Sequence, residues 1–230
     1  MAERAWIARS DYPYDEGDFT GYDTDGWEDS VWVLHSIHED VHAPGHVAHA
    51  AEREGLAEAT RKDPAKGQRV RWSEVATRMG VALGDTIGVP PCYRWLSGFT
   101  WLDYFYPLWD GVLDDDNYER ITAAIATTSE TKPTEVFGFF GWLSTNAYPG
   151  EPRNDIALYE GPIEEAVTWR LPDDQENSPS NIWPRDHSWI MYTDYDLMAT
   201  KVSGSKALIA ALEADDYLET LRWRSPPGSD

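Results

Sequence analysis

Five histidines, His35, His38, His42, His46 and His49, fall within fifteen residues of one another. Neutral imidazole is the commonest nitrogen ligand of transition metals, so the cluster raises the question of a metal centre. On one unbroken helix His38, His42, His46 and His49 would share a face. Pro44 and Gly45 interrupt that helix between the pairs, and a loop would have to bring the rings together instead. No HExxH pattern accompanies them. His38, His42 and His46 are the ligands such a site would use, and a divalent transition metal is the cofactor it would hold. Otherwise the sequence calls for no cofactor.

Other fragments carry the letters of chemistry without its geometry. Asp186-His187-Ser188 names a hydrolase triad, but adjacent residues point in different directions and do not align as nucleophile, base and orienter. There is no GxSxG elbow. Gly204-Ser205-Lys206 resembles the tail of a phosphate loop, yet Ala199 stands where the upstream glycine is required. Ser205 reads better as a helix N-cap, with Leu208, Ile209 and Leu212 facing inward. The Asp-rich stretch 9–30 fails the calcium-loop pattern. With Gly26 at the invariant glycine, Gly21 and Trp32 occupy two of the ligand positions. Cys92, amid aromatics after two prolines, reads as a small buried hydrophobe. Asp194 and Asp196 flank Tyr195 in a turn, where local hydrogen bonds account for them.

The elements that would position these residues are interspersed helices and strands. Val31–Ile37 (VWVLHSI) is a continuous apolar run and predicts one buried strand. His46–Ala59 is helical in composition. Trp72, Val75, Ala76 and Met79 share a helix face, with Ser73 as N-cap and Gly80 as the stop. Residues 81–113 read as coil with short strands, dense in aromatics. Asp114, Asp115 and Asp116 stand at the N-terminus of a helix carrying Tyr118, Ile121 and Ile125 inward. Val136–Leu143 and Asp155–Glu160 read as strands. Pro162 opens a short helix reaching about Trp169. The stretch Ser180–Trp223 reads as strand, tight turn, strand, helix, strand, with an antiparallel hairpin at 188–203. The fold class is therefore α+β: a single mixed, largely antiparallel sheet flanked by three to five helices. Residues 1–230 form one domain, with 1–30 an irregular acidic arm and 171–180 an internal loop.

Composition narrows the function. The chain has 41 acidic against 19 basic residues, a net charge of −22. Nucleic-acid phosphate and anionic membranes repel such a surface, so neither is a partner. A basic protein is. One cysteine permits no internal disulfide, and no apolar run reaches membrane-spanning length; both fit a cytoplasmic protein. The 12 Trp and 12 Tyr supply a core and potential binding anchors.

The segment Ser178-Pro-Ser-Asn-Ile-Trp-Pro-Arg-Asp-His-Ser-Trp189, with Thr193-Asp-Tyr-Asp-Leu197 and Lys201-Val-Ser-Gly-Ser205, resembles a set of acidic actinobacterial proteins. The similarity extends to Val33–Ile37 and Pro91-Cys-Tyr-Arg-Trp95. No activity is established for that set, so the resemblance implies no catalytic residue. Its acidic, cysteine-poor character is similar in style to bacterial immunity proteins.

Together these features predict a non-enzymatic protein-binding module of immunity or inhibitor type that neutralises a basic partner such as a toxin. Carboxylates of the arm (Asp15, Asp18, Asp23, Asp25) would steer association. Aromatics of the middle (Tyr93, Trp95, Trp101, Tyr104) would anchor it. The alternatives are a metal-dependent enzyme using the His35–His49 cluster and an acidic mimic of nucleic acid.

Overall fold

The computed structural model describes residues 2–7, 26–40, 67–80, 83, 91, 105–107, 111–129, 135–140, 158–169, 178–193 and 197–223. The fold class is α+β and the strands are antiparallel. In chain order the strands are β1 (Asp29–Leu34), β2 (Ile37–Asp40), β3 (Gly67–Val70), β4 (Phe105–Pro107), β5 (Glu135–Phe139), β6 (Leu158–Pro162), β7 (Asn181–Pro184), β8 (Ile190–Tyr192), β9 (Ala199–Gly204) and β10 (Thr220–Leu221). Seven of them form a sheet in the order β10-β1-β9-β8-β7-β5-β6, and a second, three-stranded sheet runs β3-β2-β4. The helices are α1 (Ala2–Ile7), α2 (Trp72–Met79), α3 (Asp115–Thr128) and α4 (Lys206–Glu213), with a 3-10 helix at Ile163–Thr168.

Strand alternation sorts the side chains of the large sheet onto two faces. Val31, Val33, Val136, Ile182, Met191 and Val202 point to one face and pack against α3, the 3-10 helix and α4. Those helices contribute Tyr118, Ile121, Ile125, Leu208, Ile209 and Leu212, the inward residues their 3-and-4 spacing predicts, together with Ile163. The other face carries two separate clusters. Trp32, Leu34, Tyr192 and Ala199 meet α2 through Trp72, Val75 and Ala76. Phe137, Phe139, Trp183 and Ile190 meet α1 through Ile7. Trp169 lies so close over β5 that a Cβ on Gly138 would stand 2.6 Å from its ring. Glycine is what admits that approach.

Two caps follow the sequence pattern. Asp114 accepts from Asn117 N at 3.0 Å. Ser205 accepts from Leu208 N at 3.2 Å. Gly80 ends α2 in the left-handed region at φ 68°. The start of α2 differs from expectation. Its N-cap is Arg71, not Ser73, and the capping oxygens come from Glu219, which accepts from Trp72 N at 2.6 Å and Ser73 N at 2.9 Å. A distant carboxylate at the positive end of the helix dipole replaces a local hydroxyl.

Several boundaries also move. The run Val31–Ile37 is two strands in two sheets, not one. The expected strand Val136–Leu143 is observed over Glu135–Phe139, with 141–143 outside the described residues. The strand expected at Asp155–Glu160 is observed at Leu158–Pro162. Pro162 is the N-cap of the 3-10 helix instead of its first residue. In the closing segment β7 precedes the expected hairpin, so the order is strand, turn, strand, strand, helix, strand. The helix expected at His46–Ala59 and residues 171–177 of the expected internal loop 171–180 lie outside the described residues.

Candidate functional site

The chain leaves one sheet and enters the other at His35-Ser36, and polar side chains gather there to satisfy the backbone. His35 N donates to Met198 O at 2.9 Å. His35 O accepts from Trp72 Nε1 at 2.7 Å. Leu34 O accepts from Asn117 Nδ2 at 3.0 Å. Ser36 N donates to Asp114 Oδ2 at 3.2 Å. The Ser36 hydroxyl in turn accepts from Arg69 Nε at 3.2 Å. Five elements therefore meet at one bend: β1 and β2 through the chain itself, β3 through Arg69, α2 through Trp72, and the N-terminus of α3 through Asp114 and Asn117.

The side chain of His35 turns inward. Its Nε2 shares a hydrogen bond of 2.9 Å with Thr200 Oγ1, which is 2.6 Å from Thr193 Oγ1. A hydroxyl in contact with an imidazole is the first half of a nucleophile–base pair. Here Thr200 is 0% and His35 2% exposed, so no substrate reaches either. Among the described residues the other ring nitrogen, Nδ1, has no hydrogen-bond partner, and no carboxylate orients the ring. Burial holds the imidazole at about 3, leaving it neutral in any ordinary buffer. The trio joins the end of β1 to β9.

Outward from the bend the cluster becomes charged. Burial raises the Asp114 carboxyl above the usual aspartate range, against the pull of the Asn117 and Ser36 bonds and of Arg69. Burial lowers His38, opposed by the negative field of Asp114 and Asp116 and aided by Arg69. The Arg69 guanidinium lies 4.0 Å from the centre of the Tyr217 ring, and Arg120 lies 5.0 Å from it. Tyr217 donates to Asp116 Oδ2 at 2.7 Å, and burial together with that acidic neighbour pushes its phenol to about 12.

Of the three histidines expected to bind metal, the structure places only His38, half-buried on β2; His42 and His46 lie outside the described residues. Among the described residues no three His, Cys, Asp or Glu side chains converge as a metal site would require. The eight expected contact residues, Asp15, Asp18, Asp23, Asp25, Tyr93, Trp95, Trp101 and Tyr104, also lie outside the described residues.

A feature that sequence reasoning missed is the outer surface of the helix layer. On α3 the exposed charges are Asp115, Asp116 and Glu119 against Arg120. The 3-10 helix exposes Glu164 and Glu165. On α4 and the turn after it, Glu213, Asp215 and Asp216 face solvent wholly or partly, against Lys206. Because α3, the 3-10 helix and α4 cover the same sheet face, these carboxylates all lie on the outer side of one helix layer. Its partial neutralisation is local: Arg120 reaches Asp215 at 3.5 Å, and Arg222 grips Glu213 and Asp29. The signal in the sequence was amphipathicity, since helices that bury Ile and Leu inward turn their Asp and Glu out.

Among the described residues no helix is long and apolar enough to cross a membrane. Compared with protein-family descriptions, curated proteins and solved structures, the chain matches none.

Proposed function

We propose that the protein is a non-enzymatic binding module of immunity or inhibitor type, whose acidic surface captures and neutralises a basic protein partner such as a toxin. The observation that carries this reading is the carboxylate-covered helix layer on a chain of net charge −22. A surface of one sign raises the on-rate of an oppositely charged partner and makes the association depend steeply on salt.

The test is recovery of the partner from the cells that make the protein, followed by kinetics with the purified pair. Association should slow by at least about tenfold between 50 and 500 mM salt. Reversing Glu164 and Glu165 to lysine should slow it at low salt while leaving dissociation nearly unchanged. A partner that is not basic, or an on-rate indifferent to salt and to charge reversal, overturns the proposal.

A further inference from the structure

The face of the sheet opposite the helix layer holds a second constructed surface, beneath α1. Glu3 Oε2 accepts two hydrogen bonds there, from His187 Nε2 at 2.8 Å and Trp183 Nε1 at 3.1 Å. Trp6 stacks on the His187 ring with centroids 3.8 Å apart and planes within 16°. It also meets Trp183 at 5.5 Å and the edge of Trp27 at 6.3 Å. Ile7 is 0% exposed, in one cluster with Phe137, Phe139, Trp183 and Ile190.

The receiving groups are set by contacts that do not involve α1. His187 sits at φ 55°, a left-handed conformation uncommon outside glycine. It is fixed there by its N–H on Pro184 O at 3.0 Å and by Trp27 Nε1 on its carbonyl at 3.2 Å. Trp183 and Phe137 stand on paired strands, directly opposite each other in register. The surface is thus pre-organised. The ligand-like element is not: six residues are too few to hold a helix in water, so α1 takes its order from the surface it lies on.

Glu3, Trp6 and Ile7 fall at i, i+3 and i+4, the spacing by which a short amphipathic helix presents one face to a groove. We propose that the Trp27–Phe137–Trp183–His187 surface is a recognition site for a short helical segment carrying a carboxylate, an aromatic ring and an aliphatic side chain at that spacing. Its resident ligand is α1, and the same segment offered by another molecule displaces it. The indole and imidazole donors read the carboxylate, the imidazole face reads the ring, and the Phe137–Phe139–Ile190 floor takes the aliphatic group. Tethering to the rest of the chain gives a segment an effective concentration of order millimolar, so an intrinsic dissociation constant at or below about 1 mM keeps α1 in place.

The experiment uses the full chain carrying Trp6→Ala and Ile7→Ala, which releases the resident segment, and a fluorescent peptide copying residues 1–9. Anisotropy should show saturable binding below about 1 mM. Wild-type protein should bind the peptide at least about tenfold more weakly, because its own helix competes. Peptides with Glu3→Gln or Trp6→Ala should each lose about tenfold or more, since each removes an element the surface reads. Should the double variant lose cooperative unfolding, the full chain with Glu3→Gln alone keeps the apolar contacts. The native peptide's preference over its Glu3→Gln version then decides. Absence of saturable binding up to about 5 mM, or equal binding of all three peptides, makes α1 a structural anchor only and overturns the proposal.

Discussion

Replacing Asp114 by alanine tests whether the bend between the sheets is held as described. The carboxylate has two separate tasks. Oδ1 caps α3 through Asn117 N at 3.0 Å, and Oδ2 accepts from Ser36 N at 3.2 Å, where the chain changes sheets. Loss of an N-cap costs about 1 kcal/mol, and leaving the Ser36 N–H unpaired in a residue only 3% exposed costs about 1–3 kcal/mol. Together the expected destabilisation is about 2–4 kcal/mol, a fall in Tm of about 4–16 °C for a chain of this size. Urea unfolding followed by tryptophan fluorescence measures it. Asp114→Asn keeps one acceptor oxygen and should lose less.

Asp114 also predicts a pH signature. Its folded-state carboxyl is raised above 3.8, chiefly by burial, so the folded protein binds this proton more tightly than the unfolded chain does. The resulting penalty is absent below the unfolded value. It grows as pH rises from there through the folded value, and is constant above. The stability of Asp114→Asn relative to wild type should therefore improve across that window and then level off. An Asp114→Ala variant within about 0.5 kcal/mol of wild type, with no pH-dependent difference for Asp114→Asn, would refute the account of the bend.

Gly138→Ala should cost about 1–3 kcal/mol, because its Cβ would stand 2.6 Å from the Trp169 ring; in a Trp169→Ala background most of that cost should vanish, which a double-mutant cycle in urea would show. Ser205→Ala should destabilise by about 1 kcal/mol through loss of the α4 cap, read as a shift in urea midpoint at constant slope. At Glu3, burial would raise the carboxyl, but the bonds from His187 and Trp183 outweigh it and hold it below 4.5. Its contribution to stability is then present above 4.5 and is lost as pH falls through the lowered folded value, so Glu3→Gln should flatten that part of the acid-unfolding curve.

Local rules were legible where the partner of each group lies within a turn or two. The inward faces of α3 and α4, the caps Asp114 and Ser205 and the stop at Gly80 are all of this kind. The same rules fail where the partner comes from far along the chain. Nothing in Val31–Ile37 marks a change of sheet, because the groups that accommodate it are Trp72, Asp114, Asn117 and the carbonyl of Met198. The start of α2 was misread for the same reason. Glu219 occupies the N–H groups of Trp72 and Ser73 from nearly 150 residues away, so Ser73 has no capping task left. Glu28 likewise receives the N–H of Lys206 at 2.9 Å, adding a second carboxylate to the start of α4 beside the local Ser205 cap.

The acidic surface shows the same division at the level of function. Net charge is a sum over the chain and says nothing about where the carboxylates stand. In sequence, Asp114, Asp115 and Asp116 read as one capping cluster. In the fold they separate: Asp114 turns in to hold the bend and the cap, while Asp115 and Asp116 stay outside. Glu164-Glu165 and the run from Glu213 to Asp216 are unremarked in sequence because each is short and explained by its own helix. They join Asp115, Asp116 and Glu119 only because Ile163, Leu208, Ile209, Leu212, Tyr118, Ile121 and Ile125 share one sheet face. The apolar pattern was the legible part, and it carries the charge pattern with it: a helix layer that buries its Ile and Leu on one side must collect its Asp and Glu on the other. Substitutions that weaken the acidic surface without touching the core, such as Glu164→Lys with Glu165→Lys, therefore separate binding from folding. Unchanged urea unfolding with a slowed and less steeply salt-dependent association is the combination a functional acidic surface produces.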